Sequence, residues 1–459
     1  MKIIIFVLYV FGLHTSYTYL LDPTTPIPFT VCALAFLLSV PVVVMQARSG
    51  KLKQIWPFLA YILLAIVVTY ITAQPEYYLK SFRGALQLVY SLVIATGLYY
   101  LVLSMPQATL ARVCFVLLIG LAVFAALERI PAVGALSDRF RALLDTGGLA
   151  GGVYNSDLRD IAMHGDIRSK VFSLEPSHAA ITFFWLSMVF IWSSRGRALT
   201  IAVWLCACAL SIWSIQSPIL LMAVVCGVPA FSLVRRSRHA SALPLEFQVL
   251  PLLVTLALTG ILFYVTWDLF SARAGDVIAG EGSFIMRVSG PWLFLTEFIP
   301  KFPFVGVGVV GDLDMLSEQL LGMYRALGLS WMGPEFVGKS LSNCLGLHFV
   351  YFGGLGSLVT LWLLLKASWM NDRKIWLLVM VQIAALWMSM GGYNSVRVWC
   401  VSFALLAAAR SKLRVDAEEK SKDNRGQGSP ARQTESRQVG LSTGAKLMAV
   451  SRQRRPSHT

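Results

Sequence analysis

The chain has 459 residues, of which 56% are hydrophobic and 14% charged, and it carries a formal net charge of +15. This composition excludes an ordinary water-soluble domain, and the long unbroken apolar runs exclude a transmembrane β-barrel, whose strands would alternate. The basic charge is spread over short loops and the C-terminal tail, which fits a membrane surface and gives no reason to expect a nucleic-acid partner.

A helix needs about 20 mostly apolar residues to cross a bilayer. Stretches of this kind follow one another as Ile3–Leu21, Ile27–Gln46, Ile55–Thr72, Gly84–Met105, Leu110–Arg129, Ala179–Ser194, Ala198–Trp213, Ser217–Val234, Phe247–Trp267, Asn343–Leu365, Ile375–Met390 and Tyr393–Ala409. The expected fold is therefore an all-α polytopic membrane protein with about twelve transmembrane helices, in one membrane domain over residues 1–410. The first helix is expected to stay uncleaved, because no convincing small-residue cleavage site precedes Tyr19–Leu21.

Orientation follows from Lys and Arg in alternate connections: Arg48, Lys51 and Lys53; Arg112; Arg195 and Arg197; Arg235, Arg236 and Arg238; Lys366, Arg373 and Lys374. Twelve spans put all of these on one side, together with Lys2 and the basic tail, so both termini are expected in the cytoplasm. The tail, residues 411–459, is polar and rich in Gly, Ser, Pro, Gln and Arg, and is expected to be disordered. The seven cysteines fall within or at the edge of spans, which suggests buried apolar side chains and neither a disulfide framework nor a zinc cluster. No Walker A or Rossmann glycine pattern occurs, so neither an ATP-driven motor nor a cofactor is expected.

Two connections are long, about 130–178 and 268–342, and both fall on the external side. The second contains the apolar stretch Pro291–Val310, interrupted by Pro300 and Pro303, which reads as an interfacial or re-entrant helix followed by a tight turn at Gly306-Val307-Gly308. Asp312 and Asp314 read as a solvated turn, so no metal site is expected.

Where the first loop re-enters the membrane stands Arg168-Ser-Lys-Val-Phe-Ser-Leu-Glu-Pro-Ser-His-Ala-Ala180. Pro176 suits the first turn of a helix, and Glu175 before it is favoured by the helix dipole. The segment can be a helix start with a charged cap. It can also be a carboxylate and an imidazole, Glu175 and His178, one turn apart and facing a polar cavity, where they can take a proton from a hydroxyl. Arg83, Arg168, Arg287 and Arg397 stand at the same external level, where guanidinium groups suit phosphate or pyrophosphate. Arg397 lies inside an apolar run, a costly position that usually faces a cavity. Pairing with Glu281 or a lipid headgroup for Arg287, and snorkelling for Arg83 and Arg397, are the structural alternatives.

The Arg168-x3-Phe172-x2-Glu175-Pro-Ser-His178 element resembles the signature of Wzy-type polymerases of capsular and exopolysaccharides. Arg287…Pro303-Phe-x-Gly-x-Gly308 and Ser342-Asn343…Tyr351-Phe-Gly-Gly-Leu-Gly356 resemble the O-antigen polymerase and ligase superfamily, and the resemblance covers about Arg83 to Ala409. It implies a GT-C-like glycosyltransferase with two large periplasmic loops in the bacterial inner membrane. Such an enzyme joins undecaprenyl-pyrophosphate-linked oligosaccharides, with a flippase and a chain-length regulator as further partners. Glu175 and His178 would activate the acceptor, and Arg287, Arg168, Arg83 and Arg397 would hold pyrophosphate or glycan. In the ligase branch a His precedes the Asn matched by Asn343; here Ser342 stands there, which favours a polymerase. A ligase and a transporter or flippase of lipid-linked oligosaccharide are the alternatives.

Overall fold

The computed structural model describes residues 1–22, 25–49, 55–72, 78–144, 160–161, 167–194, 196, 198–239, 290–309, 313–326, 333, 341, 343–368 and 372–427. Among these, fourteen α-helices form an all-α architecture. They are α1 Lys2–Thr15, α2 Thr30–Arg48, α3 Trp56–Thr72, α4 Tyr78–Ser104, α5 Gln107–Leu127, α6 Pro131–Leu144 and α7 Pro176–Ser193. There follow α8 Ala198–Ile215, α9 Pro218–His239, α10 Gly290–Lys301, α11 Ser317–Ala326, α12 Cys344–Ser368, α13 Arg373–Ser389 and α14 Val396–Gln427. A small antiparallel hairpin, β1 Tyr19–Asp22 and β2 Thr25–Ile27, joins α1 to α2.

Among the described residues, four helical stretches are long and apolar enough to cross a membrane: Thr30–Arg48, Tyr78–Ser104, Gln107–Leu127 and Cys344–Leu364. The protein is therefore membrane-embedded. The expected span Phe247–Trp267 lies outside the described residues, and each of the others coincides with a helix. The first is shorter than expected, because the chain leaves α1 at Ser16, in the left-handed conformation, and enters the hairpin. The last is longer. Residues 411–427, expected to be disordered, continue α14; Lys, Arg and Glu, all good helix formers, recur there, and extending a formed helix carries no nucleation cost. By internal contacts the chain divides into Met1–Ser411 and Lys412–Thr459.

Helix α7 is the centre of the first unit. Every residue of it other than Ser177 and His178 is buried, and it packs on α1, α5, α8, α9 and α13. It is apolar all round because it meets neighbours all round. Val396–Ala409 of α14 is likewise buried, with Trp399 and Phe403 against Phe58 of α3 and Phe403 against Tyr99 of α4. Two buried tryptophans are paired across helices inside the bundle: Trp192 Nε1 donates to Gln382 Oε1 at 2.9 Å, and Trp387 Nε1 to Ser402 Oγ at 2.8 Å.

Helix α12 is broken at Gly353, whose φ of 68° and ψ of −169° are not helical. The break frees backbone groups that lipid cannot satisfy. Segment 302–308 takes them up: Val307 and Gly308 N–H donate to the carbonyls of Val350 and Tyr351, and Gly354, Leu355 and Gly356 N–H donate to those of Phe302, Pro303 and Phe304. Gly306-Val307-Gly308, expected as a tight turn, is thus spent on α12. The approach demands glycine, since a Cβ on Gly306 would lie 2.0 Å from the carbonyl oxygen of Val350.

Candidate functional site

The Arg168–Glu175 loop is held to the bundle by side chains from several helices. Asp160 binds Arg168 through Oδ1, at 2.8 Å from both Nε and one terminal nitrogen. The Ser169 hydroxyl donates to the Ala125 carbonyl at 2.6 Å, and Ser169 N–H to that of Ser214 at 3.1 Å. Glu128, which caps the C-terminus of α5, accepts through one oxygen from Lys170 N–H at 2.7 Å and Val171 N–H at 2.6 Å. On the other face, His14 Nε2 donates to the Val171 carbonyl at 2.5 Å, and its Nδ1 lies 3.2 Å from Thr182 Oγ1. The Phe172 ring sits edge-on to Phe124 and Phe140, and Phe172 N–H donates to Ser137 Oγ at 3.2 Å.

Val171 and Phe172 both have positive φ, 51° and 62°. Such a conformation costs a non-glycine residue about 1–3 kcal/mol and persists only where its surroundings over-determine it. Among the described residues the other non-glycine positions with positive φ are Ser16, Phe29 and Gln216. Ser16 and Phe29 touch Arg397, and Gln216 follows closely on Ser214, which holds Ser169. Backbone strain among the described residues therefore gathers around one end of the bundle.

That strained loop delivers Glu175 to the N-cap of α7, with φ −140° and ψ 151°, and Pro176 opens the helix. The Ser173 hydroxyl lies 2.7 Å from the Glu175 carbonyl, and Ser177 Oγ donates to Glu175 Oε2 at 2.9 Å. Glu175, Ser177, His178 and Ile181 form one wall of a cavity of about 230 Å³. Ser389, Met390 and Gly391, where α13 ends, and Ser395, Arg397 and Val398, where α14 begins, form the rest. The N-termini of α7 and α14 both meet this space, so their dipoles favour negative charge in it.

Arg397 is only 8% exposed. Its Nε donates to the Leu13 carbonyl at 3.1 Å, a terminal nitrogen donates to Ser16 Oγ, and the guanidinium lies 5.6 Å from the Phe29 ring centre. Glu175 attracts it electrostatically. A carboxylate and a fixed guanidinium thus face one small polar space, with an imidazole one turn further along the same helix.

The structure brings Glu175, His178 and Arg397 together. It does not bring Arg168 or Arg83 to that cavity: Arg168 is engaged by Asp160, and Arg83 is exposed on α4. Arg287 lies outside the described residues, as do Ser342, Asp312 and parts of both long loops. Asn343 is placed to cap α12, its Oδ1 accepting from Gly346 N–H at 3.0 Å. His348 is buried deeper in that helix, with Nδ1 3.1 Å from the Tyr393 hydroxyl. Of the cysteines, Cys206 is exposed and the others are buried. Among the described residues no group of three or more His, Cys, Asp or Glu side chains is arranged to hold a metal ion.

Sequence reasoning missed His14, Glu128 and Asp160. His14 offered a signal, as a titratable residue inside an apolar run. Glu128 offered a weaker one, an acid at a helix C-terminus, where the dipole disfavours it.

Fold and cavity together define the class, an all-α membrane-embedded protein with a charge-bearing cavity where its central helices begin. Comparison carries the assignment no further: no family model, curated protein or solved structure matches this chain.

Proposed function

We propose that the protein is a glycosyltransferase that polymerises undecaprenyl-pyrophosphate-linked oligosaccharide repeat units at the periplasmic face of the bacterial inner membrane. In this reading it has twelve spans including Phe247–Trp267, a GT-C-like architecture and both termini in the cytoplasm. The observation that carries the proposal is the shared cavity of Glu175, His178 and Arg397. Its residues come from the Glu-Pro-Ser-His element and from the one expected arginine embedded in an apolar run.

The chemistry follows from these groups. The Glu175 carboxylate takes the proton of an acceptor sugar hydroxyl, with His178 as its alternative or orienting partner. The hydroxyl oxygen forms a bond to the anomeric carbon of the growing glycan. The bond from that carbon to the pyrophosphate oxygen breaks, and its electron pair leaves with the lipid pyrophosphate. Arg397 and the two helix N-termini stabilise the developing negative charge in a site partly closed to water. Arg287 remains a candidate for the same charge from the second loop, whereas Arg168 acts through Asp160 on the shape of the first. The test is complementation of a polymerase-null strain: Glu175→Ala and Arg397→Ala should both abolish long polymer at normal expression. Restoration of full-length polymer by both would refute the assignment.

One observation favours a transporter of lipid-linked oligosaccharide, namely the break in α12, since transporters use broken helices. Here segment 302–308 occupies the freed backbone groups, which keeps them from a transported substrate. Ligase activity is distinguished by its product, glycan attached to lipid A instead of a longer chain.

A further inference from the structure

Val171 is gripped on both of its backbone polar groups by side chains from two separate helices. Its N–H is held by Glu128 at 2.6 Å and its carbonyl by His14 at 2.5 Å. Each element of this arrangement runs against local preference. A β-branched residue takes a left-handed conformation, an aromatic one follows in the same conformation, and a carboxylate sits at the C-terminal end of a helix. Such conflicts mark places where another requirement dominates. The chain leaves this clamp at Ser173, whose hydroxyl lies within hydrogen-bond distance of the carbonyls of Lys170 and Glu175, and reaches the cavity at Glu175.

We infer that Glu128 is a positioning residue: with His14 it clamps Val171 and so sets where the Glu175 carboxylate stands in the cavity. The inference rests on the reading of Glu175 as the proton acceptor. The same end of α1 that supplies His14 also supplies the Leu13 carbonyl and the Ser16 hydroxyl that hold Arg397. One helix end therefore references both the acid and the cation, and the Glu128 bond fixes the loop against it.

The geometry separates positioning from charge. Both N–H bonds fall on a single oxygen of Glu128, so the amide oxygen of Gln reproduces them without charge, whereas Asp keeps the charge and withdraws the oxygen by a methylene. Glu128→Gln should form polymer at close to the wild-type rate. Glu128→Asp and Glu128→Ala should be slower by about 100-fold, the scale of an ångström of misplacement. An independent readout is the labelling rate of Ser177→Cys by N-ethylmaleimide in membranes, with Cys206→Ser to remove the exposed native thiol. That rate should change several-fold in the Asp and Ala backgrounds and stay unchanged in the Gln background.

Activity retained by Asp and lost by Gln would overturn the clamp in favour of a charge role. Unchanged labelling and unchanged polymer in Glu128→Ala would overturn it outright. Glu175→Gln assayed alongside separates the two levels: if that variant keeps full activity, the polymerase site reading fails, while the labelling result still decides the clamp.

Discussion

Arg397 donates through Nε to the main-chain carbonyl of Leu13 at 3.1 Å, tying the start of the last helix to the end of the first. That carbonyl is among those that a helix C-terminus cannot satisfy internally, and a cation there also complements the dipole. A second donor of the same guanidinium meets Ser16 Oγ, so the planar fork spans two acceptors. Arg397→Lys should therefore fail to substitute, because an ammonium reaches one acceptor and lacks the fork. We expect polymer formation to fall by about 100-fold or more and the melting temperature in detergent to drop, since losing one partner of a buried charged hydrogen bond costs about 1.5–3 kcal/mol. A Lys variant with wild-type polymer and stability would remove Arg397 from the site.

Glu175 is half-buried and its side chain makes no cap bond to the α7 backbone. Glu175→Gln should leave the melting temperature nearly unchanged while lowering polymer formation by about 10²–10⁴-fold, the usual contribution of a positioned general base. Ser177→Ala, which removes the hydroxyl donated to Glu175 Oε2, should cost far less. Gel analysis of chain length at matched protein level measures both.

Arg168 and Asp160 make a nearly buried pair, with side chains 13% and 1% exposed. If Arg168 braces the loop, Arg168→Gln and Asp160→Asn should impair polymer formation to similar degrees, and the exchange Arg168→Asp with Asp160→Arg should recover part of the loss. A direct substrate role for Arg168 predicts instead that Asp160→Asn is mild and that the exchange recovers nothing. A double-mutant cycle on polymer yield decides between the two.

Gly306 and Gly353 have no room for a methyl group: a Cβ would lie 2.0 Å from the Val350 oxygen and 2.6 Å from the Val305 carbonyl carbon. Gly306→Ala and Gly353→Ala should each destabilise the protein by about 2–4 kcal/mol through forced separation of α12 from segment 302–308. Gly120, within α5, has nothing within 4 Å of the place a methyl group would take, so Gly120→Ala should be neutral or stabilising by about 1 kcal/mol. Thermal unfolding of the three variants in one detergent gives the ranking.

Helix type and rough extent were legible because apolar run length is a local property, and lipid leaves a spanning segment few alternatives to a helix. Pro176 opening α7 and Glu175 at its cap were legible for the same local reason. The position of Arg397 was legible as an anomaly, a guanidinium inside an apolar run. Its partners Leu13 and Ser16 were not, because hundreds of residues separate them and no spacing rule links the first helix to the last. The contrast between Arg168 and Arg397 was equally hidden. Both are external-level arginines by sequence, yet one is engaged by Asp160 and the other lines the cavity.

The sequence by itself determined a membrane-embedded helical protein and a short element, Glu175-Pro-Ser-His178, that sets a carboxylate and an imidazole at a helix start. Tertiary structure decided which cation joins that element, which side chains clamp Val171, and why the glycines of segment 302–308 and α12 occur as they do. The physical reason is the same in each case. Helix formation is settled within a few turns, whereas a cavity, a clamp and a satisfied break in a helix exist only where distant segments have already packed.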